Sequence, residues 1–281
     1  MSLAYSEPDT VAEAAALLAD DDEAKILAGG QSLMVMIRHG LVAPSRLVSL
    51  QRVDGLTEIA AEPEGSTWIG AMATYRQVAE AVRASLPGLA QACLEVGPLP
   101  VQNVGTPGGS ICHNAPGADV PPALLALDAE VIVESTTGRR TIPLADFFAG
   151  YFETVLSPVE VLVGLRVPRT APGTASGYVK FNYRLIDMAM IGVGVAVRVE
   201  DEVCRGVRIA LGGTAAVPYR CPTAEGSLEG RPLTRERIAE AGHLAAEERE
   251  LVSDLHCSAD YRRRVIPVIL RRALERAGAF G

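Results

Sequence analysis

The chain has 281 residues, 48% of them hydrophobic, and a formal net charge of −8 at pH 7. That length supports a packed core and two or three subdomains. The negative balance argues against a general affinity for nucleic acid or anionic membrane. No apolar run approaches the roughly 20 residues of a bilayer span. The polar start MSLAYSEPDT lacks the basic and apolar segments of a signal peptide, so a cytoplasmic protein is expected.

In chain order, Thr10 and Glu13 have capping-box spacing and predict a helix over 11–19. AKILAG reads as a short buried strand, and Ser32 as the cap of a second helix through LMVMIRH, stopped by Gly40. RLVSL is the next strand, so the first 55 or so residues form a βα-type unit. Thr74 and Gln77 cap a helix over YRQVAEAVRA, which GLAQACLEV continues. Residues 97–122 are rich in Gly and Pro and read as a long loop, of the kind that is functional or disordered. EVIVES, TTG and RRTIPL read as strand, turn and strand, and VEVLVGLRVP as a further strand. RTAPGTASG, residues 169–177, is the linker candidate.

After the linker, GYVKFNYRL, IGVGVAVRVE and VCRGVRIALGG predict three successive strands. In the second, Ile191, Val193, Val195, Val197 and Val199 alternate strictly and define one apolar face. Helices follow over 234–252 and 258–277. The second carries Arg262, Arg263, Arg264, Arg271 and Arg272, whose charges are expected to be solvated or to dock a partner. This is an α+β layer arrangement.

Cys93, Cys112, Cys204, Cys221 and Cys257 show no C-x-x-C, and the four histidines no paired spacing, so no local metal site or disulfide framework is encoded. The chemistry-bearing signal is a pair of glycine loops. ILAGGQSLM has the order strand, Gly29-Gly30, Ser32, helix. Glycines there let a phosphate approach backbone N–H groups at a helix start. GTPGGSICHNAPGAD adds two more glycines, hydroxyls at Thr106 and Ser110, and a carboxylate at Asp119. A pyrophosphate takes donors from more than one side, and a sugar or ribityl chain takes an acceptor such as Asp119. The alternative for either loop alone is a plain turn. Neither G-x-x-x-x-G-K-[ST] nor a complete G-x-G-x-x-G occurs, and Gly212-Gly213 precedes no clear helix. Cys112 and His113 sit beside the second loop without a partner base or nucleophile, so no catalytic residue is assigned.

At these residues the chain resembles the FAD-binding medium subunit of the molybdenum hydroxylases, the carbon monoxide dehydrogenase and xanthine dehydrogenase type. LAGGQSLM and GTPGGSICHNAPGADVPPALLALDAEV match the family's two FAD loops. YVKFNYRLIDMAMIGVGVAV, IALGGTAAVPYR and SADYRRRVIPVILRRAL match its C-terminal domain. The resemblance covers nearly the whole chain. It implies a two-subdomain PCMH-type FAD domain, residues 1–56 and 57–172. A C-terminal α+β domain follows, residues 173–281, with a three-stranded antiparallel sheet and helices.

By position, the resemblance implies noncovalent FAD held by Ile26, Leu27, Ala28, Gly29, Gly30, Gln31, Ser32 and Leu33 on one side. Thr106, Gly108, Gly109 and Ser110 face them, Asp119 takes a ribityl or sugar hydroxyl, and Leu162 and Lys180 lie near the isoalloxazine. A cation there stabilises reduced flavin. Taken singly, Lys180 also reads as a solvated strand lysine, Asp119 as a helix N-cap and Leu162 as core. Pro107 stands where the family usually has Ile, which removes one N–H from the loop. The resemblance further implies a large molybdenum-cofactor subunit and a small [2Fe–2S] subunit as partners, in a dimer of heterotrimers. Electrons from the clusters would pass through FAD to an external acceptor. Two other readings stand beside this one: a self-sufficient flavin oxidoreductase of the same fold, and a non-catalytic flavin-binding assembly subunit.

Overall fold

The computed structural model describes residues 3–184 and 186–280; Leu185, inside the C-terminal motif, lies outside them. Strands β1 (Ala4–Ser6), β2 (Lys25–Leu27) and β3 (Arg46–Ser49) alternate with helices α1 (Val11–Ala19) and α2 (Leu33–Arg38). The strands pair in parallel in the order β1-β3-β2. Thr10 caps α1 by accepting from the Glu13 amide at 3.1 Å, while the Glu13 carboxylate accepts from the Asp9 amide at 2.9 Å. Ser32 departs from expectation: it precedes α2 but makes no side-chain cap, because its own backbone is already helical at φ −93°, ψ −50°. β2 is only half-buried, with Lys25 exposed.

The second sheet joins β4 (Ile59–Ala61), β5 (Thr67–Gly70), β6 (Glu130–Ser135), β7 (Gly138–Pro143) and β10 (Val161–Val167), antiparallel in the order β4-β5-β10-β6-β7. A small hairpin, β8 (Phe148–Gly150) and β9 (Glu153–Thr154), precedes β10. Helix α3 (Tyr75–Val82) starts on a full capping box between Thr74 and Gln77. It does not run on as expected; α4 (Pro87–Glu95) is separate. Leu86, placed before a proline, is pushed out of the helical region to φ −133°.

Residues 97–122 are not a long loop. They hold α5 (Leu99–Gln102), α6 (Pro107–His113) and α7 (Val120–Leu125), each with a proline in its first turn. Proline is tolerated there because the first-turn N–H groups have no intrahelical acceptor, and helices this short show no periodicity.

The C-terminal sheet is β11 (Thr174–Phe181), β12 (Ile191–Glu200), β13 (Val203–Gly212) and a two-residue β14 (Tyr219–Arg220), antiparallel and in order. The three long strands are those expected. Helices α8 (Pro222–Leu228), α9 (Arg235–Glu247) and α10 (Ala259–Arg276) complete the chain. Ile191, Val193, Val195 and Val197 pack with Ile266, Ile269 and Leu270 of α10.

The opposite face of β12 is buried too. Gly192, Gly194 and Ala196 form a strip of small residues along it. A Cβ on Gly194 would sit 2.3 Å from the Pro122 carbonyl oxygen, so glycine lets α7 press onto the strand. Arg262 is neither solvated nor at a surface. It is 1% exposed and donates to the Met190, Val252 and Cys257 carbonyls and to Asp254.

Candidate cofactor site

A cavity of about 280 Å³ lies where the β2–α2 loop, α6 and β10 meet. Its wall includes Ile26, Ala28, Gly29, Gly30, Gln31, Ser32 and Leu33 from the first loop, Thr106, Gly108, Gly109 and Ser110 from the second, and Leu162 from β10. The two glycine loops, about 75 residues apart, therefore border one space. They also touch. A Cβ on Gly29 would lie 2.0 Å from the Val104 carbonyl oxygen and 2.8 Å from Gly105 Cα. Gly30 adopts φ +68°, the left-handed region that favours glycine. Near Leu162, β10 shifts register against β6 between Leu162 and Gly164. Bulges of this kind re-aim side chains beside sites.

The first loop is rich in free donors. Among the described residues, the N–H groups of Gly29, Gly30, Gln31, Ser32 and Leu33 have no protein acceptor. In α6, Thr106 Oγ1 takes the Gly109 amide at 2.9 Å and the Thr106 carbonyl takes the Ser110 amide at 3.0 Å, which leaves the Gly108 N–H free. Pro107 is the first residue of α6, where the missing N–H opens no break in the helix ladder. These amides, set against glycines that have no room for a side chain, suit an anionic pyrophosphate.

Leu27, Asp119 and Lys180 stand outside the lining. Asp119 occupies the N-cap position of α7 but makes no capping hydrogen bond. Its carboxylate accepts instead from the Tyr178 hydroxyl at 2.7 Å and from Lys180 Nζ at 3.3 Å. Lys180 also donates to the Glu95 and Asp187 carbonyls, at 2.5 and 3.0 Å. Its side chain is 1% exposed and that of Asp119 6%. Burial pushes the Asp119 carboxyl up to about 6, against the pull of Lys180 and Tyr178. The pair spans the junction of α4, α7 and β11.

Several lining residues carried no motif in the sequence: Lys25, Met36, Leu50, Ala71, Tyr75, Leu156 and Glu160. Tyr75 follows the α3 capping box, and its amide donates to the Gly105 carbonyl at 3.0 Å, tying that helix start to the second loop. Burial raises its phenol well above the ordinary value. Glu160 is held by Arg140 at 2.6 and 2.8 Å, which lowers its carboxyl. Cys112 and His113 also line the cavity. Burial pushes the Cys112 thiol up to about 12 and holds the His113 imidazole below its usual value.

A mixed α/β chain that closes two glycine loops on one amide-lined cavity has the architecture of a dinucleotide-binding subunit. Comparison with known families gives the class: residues 1–170 match the FAD binding domain in molybdopterin dehydrogenase, and residues 177–277 the CO dehydrogenase flavoprotein C-terminal domain. The chain belongs to this family of FAD-binding subunits. It is 35% identical over 280 residues to the nicotine 6-hydroxylase medium subunit of Paenarthrobacter nicotinovorans, covering 99% of this chain and 98% of that protein. It is 36% identical over 279 residues to the carbon monoxide dehydrogenase medium chain of Hydrogenophaga pseudoflava, covering 98% and 96%.

Among solved structures, carbon monoxide dehydrogenase from Hydrogenophaga pseudoflava lacking the Mo-pyranopterin moiety superposes with a TM-score of 0.95 at 35% identity, over 99% of this chain and 98% of that one. Quinoline 2-oxidoreductase from Pseudomonas putida 86 gives 0.92 at 32%, over 99% and 98%. Among the described residues, no helix is long and apolar enough to cross a membrane.

Proposed function

We propose that this chain is the FAD-holding electron-transfer subunit of a cytoplasmic molybdenum hydroxylase complex. A large partner subunit carries the molybdenum cofactor that oxidises substrate, and a small partner carries two [2Fe–2S] clusters. FAD, bound noncovalently here, supplies the redox step that passes electrons from those clusters to an external acceptor. The observation that carries this reading is the contact of Gly29 with Val104 and Gly105, which closes two amide-bearing loops on one cavity. It is supported by likeness to medium subunits along almost the entire chain.

The chain's own residues bind and orient. Gly29, Gly30, Gln31, Ser32, Leu33 and Gly108 offer N–H groups to a pyrophosphate, with Ile26 and Ala28 beside them in the wall. Thr106 fixes the first turn of α6, and Leu162 and Tyr75 shape an apolar wall that excludes water. We read Asp119 and Lys180 as joint supports behind α6 and α7, bringing an ammonium and a carboxylate to the domain junction together.

The test is rapid mixing of the isolated chain and of the purified complex with the substrates of its relatives, carbon monoxide, nicotine and xanthine among them. The isolated chain should release free FAD on acid treatment. Its flavin should be bleached by dithionite and recover in an oxidant, yet be untouched by organic substrate. In the complex, the cognate substrate should bleach it. Bleaching by organic substrate in the isolated chain would overturn the relay and favour a self-sufficient flavoenzyme.

A further inference from the structure

A second cavity, of about 660 Å³, shares no lining residue with the cofactor site. Strand β10 stands between the two: Leu162 lines the cofactor cavity, and its neighbour Val163 lines this one. The start of α1 and the segment joining β3 to β4 form its sides, and Trp68 lies on its floor. Trp68 is the chain's single tryptophan. A Cβ on Gly164 would lie 2.4 Å from two of its ring carbons, so the glycine lets the indole press onto β10. Leu56 and Val163 beside it are buried, while Trp68 itself is only half-buried. An aromatic surface is thus left accessible at the bottom of a groove.

The charges around this floor do not cancel. Five carboxylates and two guanidiniums line the groove. Both guanidiniums are taken: Glu62 accepts from Arg166 at 2.7 and 3.2 Å, and Glu134 from Arg139 at 2.7 and 3.0 Å. Arg52, outside the wall, holds Asp9 at 2.7 Å. Asp54 and Glu58 are exposed and have no side-chain partner among the described residues. The positive end of α1 also faces the groove, but the Glu13 carboxylate already answers it. The balance is negative over an indole, the reverse of the amide-lined cofactor cavity. It repels phosphate and suits a planar cation on an apolar stem, the chemistry of an arginine side chain. The lip adds a backbone feature. Strand β4, whose Ala60 lines the groove, is outermost in its sheet. An open strand edge is where an extended polypeptide adds, and a space of several hundred Å³ holds a ligand larger than one side chain.

We propose that this groove docks an extended, arginine-bearing segment of a partner subunit, a guanidinium packing on Trp68 with Asp54 and Glu58 as its counter-charges. The proposal rests on the reading of this chain as one subunit of a complex, and not on what the other cavity holds.

Occupancy is read at Trp68 by hydroxyl-radical oxidation and peptide mass spectrometry, in the free full-length chain and in the assembled complex. Oxidation of Trp68 should slow by about fivefold or more on assembly, as expected of an aromatic anchor shut off from water. A chain carrying both Asp54→Lys and Glu58→Lys changes only exposed side chains, so it should fold and keep its flavin. Its affinity for the partner subunits, measured by sedimentation, should fall about tenfold, and the deficit should shrink as salt is raised. Equal oxidation of Trp68 in the free and assembled chain overturns the proposal, as does wild-type assembly by the charge-reversed chain. Spermidine is the control for a small cation: if it protects Trp68 in the free chain and assembly does not, the groove binds a polyamine and no polypeptide segment. A wild-type chain that joins no partner subunit refutes the underlying reading as well, so the two failures are distinct.

Discussion

Replacing Lys180 with Met tests the junction between the FAD domain and the C-terminal sheet. The substitution keeps the aliphatic stem and deletes the ammonium, which serves Asp119 at 3.3 Å, the Glu95 carbonyl at 2.5 Å and the Asp187 carbonyl at 3.0 Å. Asp119 is then left with the Tyr178 hydroxyl alone. Breaking one side of a buried ion pair costs about 3–5 kcal/mol, a large part of the 5–15 kcal/mol that holds a typical domain folded.

The loss depends on pH with a definite sign. Burial already raises Asp119 to about 6 in the presence of Lys180; without the ammonium it rises further. A carboxyl raised in the folded state keeps a proton that the unfolded chain releases. Stability therefore falls as pH climbs from the unfolded carboxyl value, about 3.9, through the folded one. Lys180→Met should be strongly destabilised at pH 8 and much less so at pH 5, where protonated Asp119 needs no counter-charge. Adding Asp119→Asn should recover more than about 1 kcal/mol at pH 8, the coupling expected of residues in contact. Urea unfolding of the four chains at both pH values reads this out. Equal losses at pH 5 and pH 8, or no coupling, would refute the buried-pair account.

Gly29→Ala should abolish measurable FAD binding, because its Cβ meets the Val104 carbonyl at 2.0 Å and drives the loops apart. Gly30→Ala should cost about 1 kcal/mol of strain and weaken binding less, since its nearest neighbours are the side-chain atoms Leu27 Cδ1 at 3.2 Å and Met34 Cγ at 3.3 Å; flavin fluorescence titration ranks the two. Pro107→Ala should lower the melting temperature slightly, by the ~0.4–1 kcal/mol that proline contributes through the unfolded chain, and leave FAD affinity within twofold. Arg262→Met should destabilise the C-terminal domain by several kcal/mol by leaving Asp254 and buried carbonyls unpaired, seen as earlier proteolysis of that domain in limited digestion.

Much of the fold was legible because it rests on local signals. Thr10 and Thr74 each accept a hydrogen bond from the amide three residues on, as their capping-box spacing predicts, and Thr234 and Ser258 do the same at the expected starts of the last two helices. The alternation marked the core face of β12 from Ile191 to Val197, while Val199, expected on the same face, is 39% exposed; the other face was hidden, because Gly192 and Gly194 carry no hydrophobic signal and are covered by the Tyr178 ring and by Pro122 of α7. The helices between residues 97 and 122 were missed because prolines that start short helices look like breaks. At the site, the glycine pairs were readable. Tyr75 and Glu160 were not, since only tertiary packing brings the start of α3 and the segment before β10 to the cavity. Arg262 reads as one more surface charge in an arginine run until the carbonyls of residues 190, 252 and 257 are found around it.

The glycine strip of β12 also sets the terms on which this chain could be recombined. Pro122 seats its carbonyl in the gap that Gly194 leaves, and Pro122 side-chain atoms stand 3.1 Å from where a Gly212 Cβ would be. The segment carrying Pro122 leads directly from α6, so the thickness of a strand in one domain fixes how far forward a helix in the other can stand. A chimera that grafts the C-terminal domain of a relative onto this FAD domain inherits that spacing only when the strip and the Pro121–Pro122 step travel as a matched pair. A single added methyl at Gly194 would act as a shim, felt at the cofactor loop although it lies on a strand that never touches the cavity.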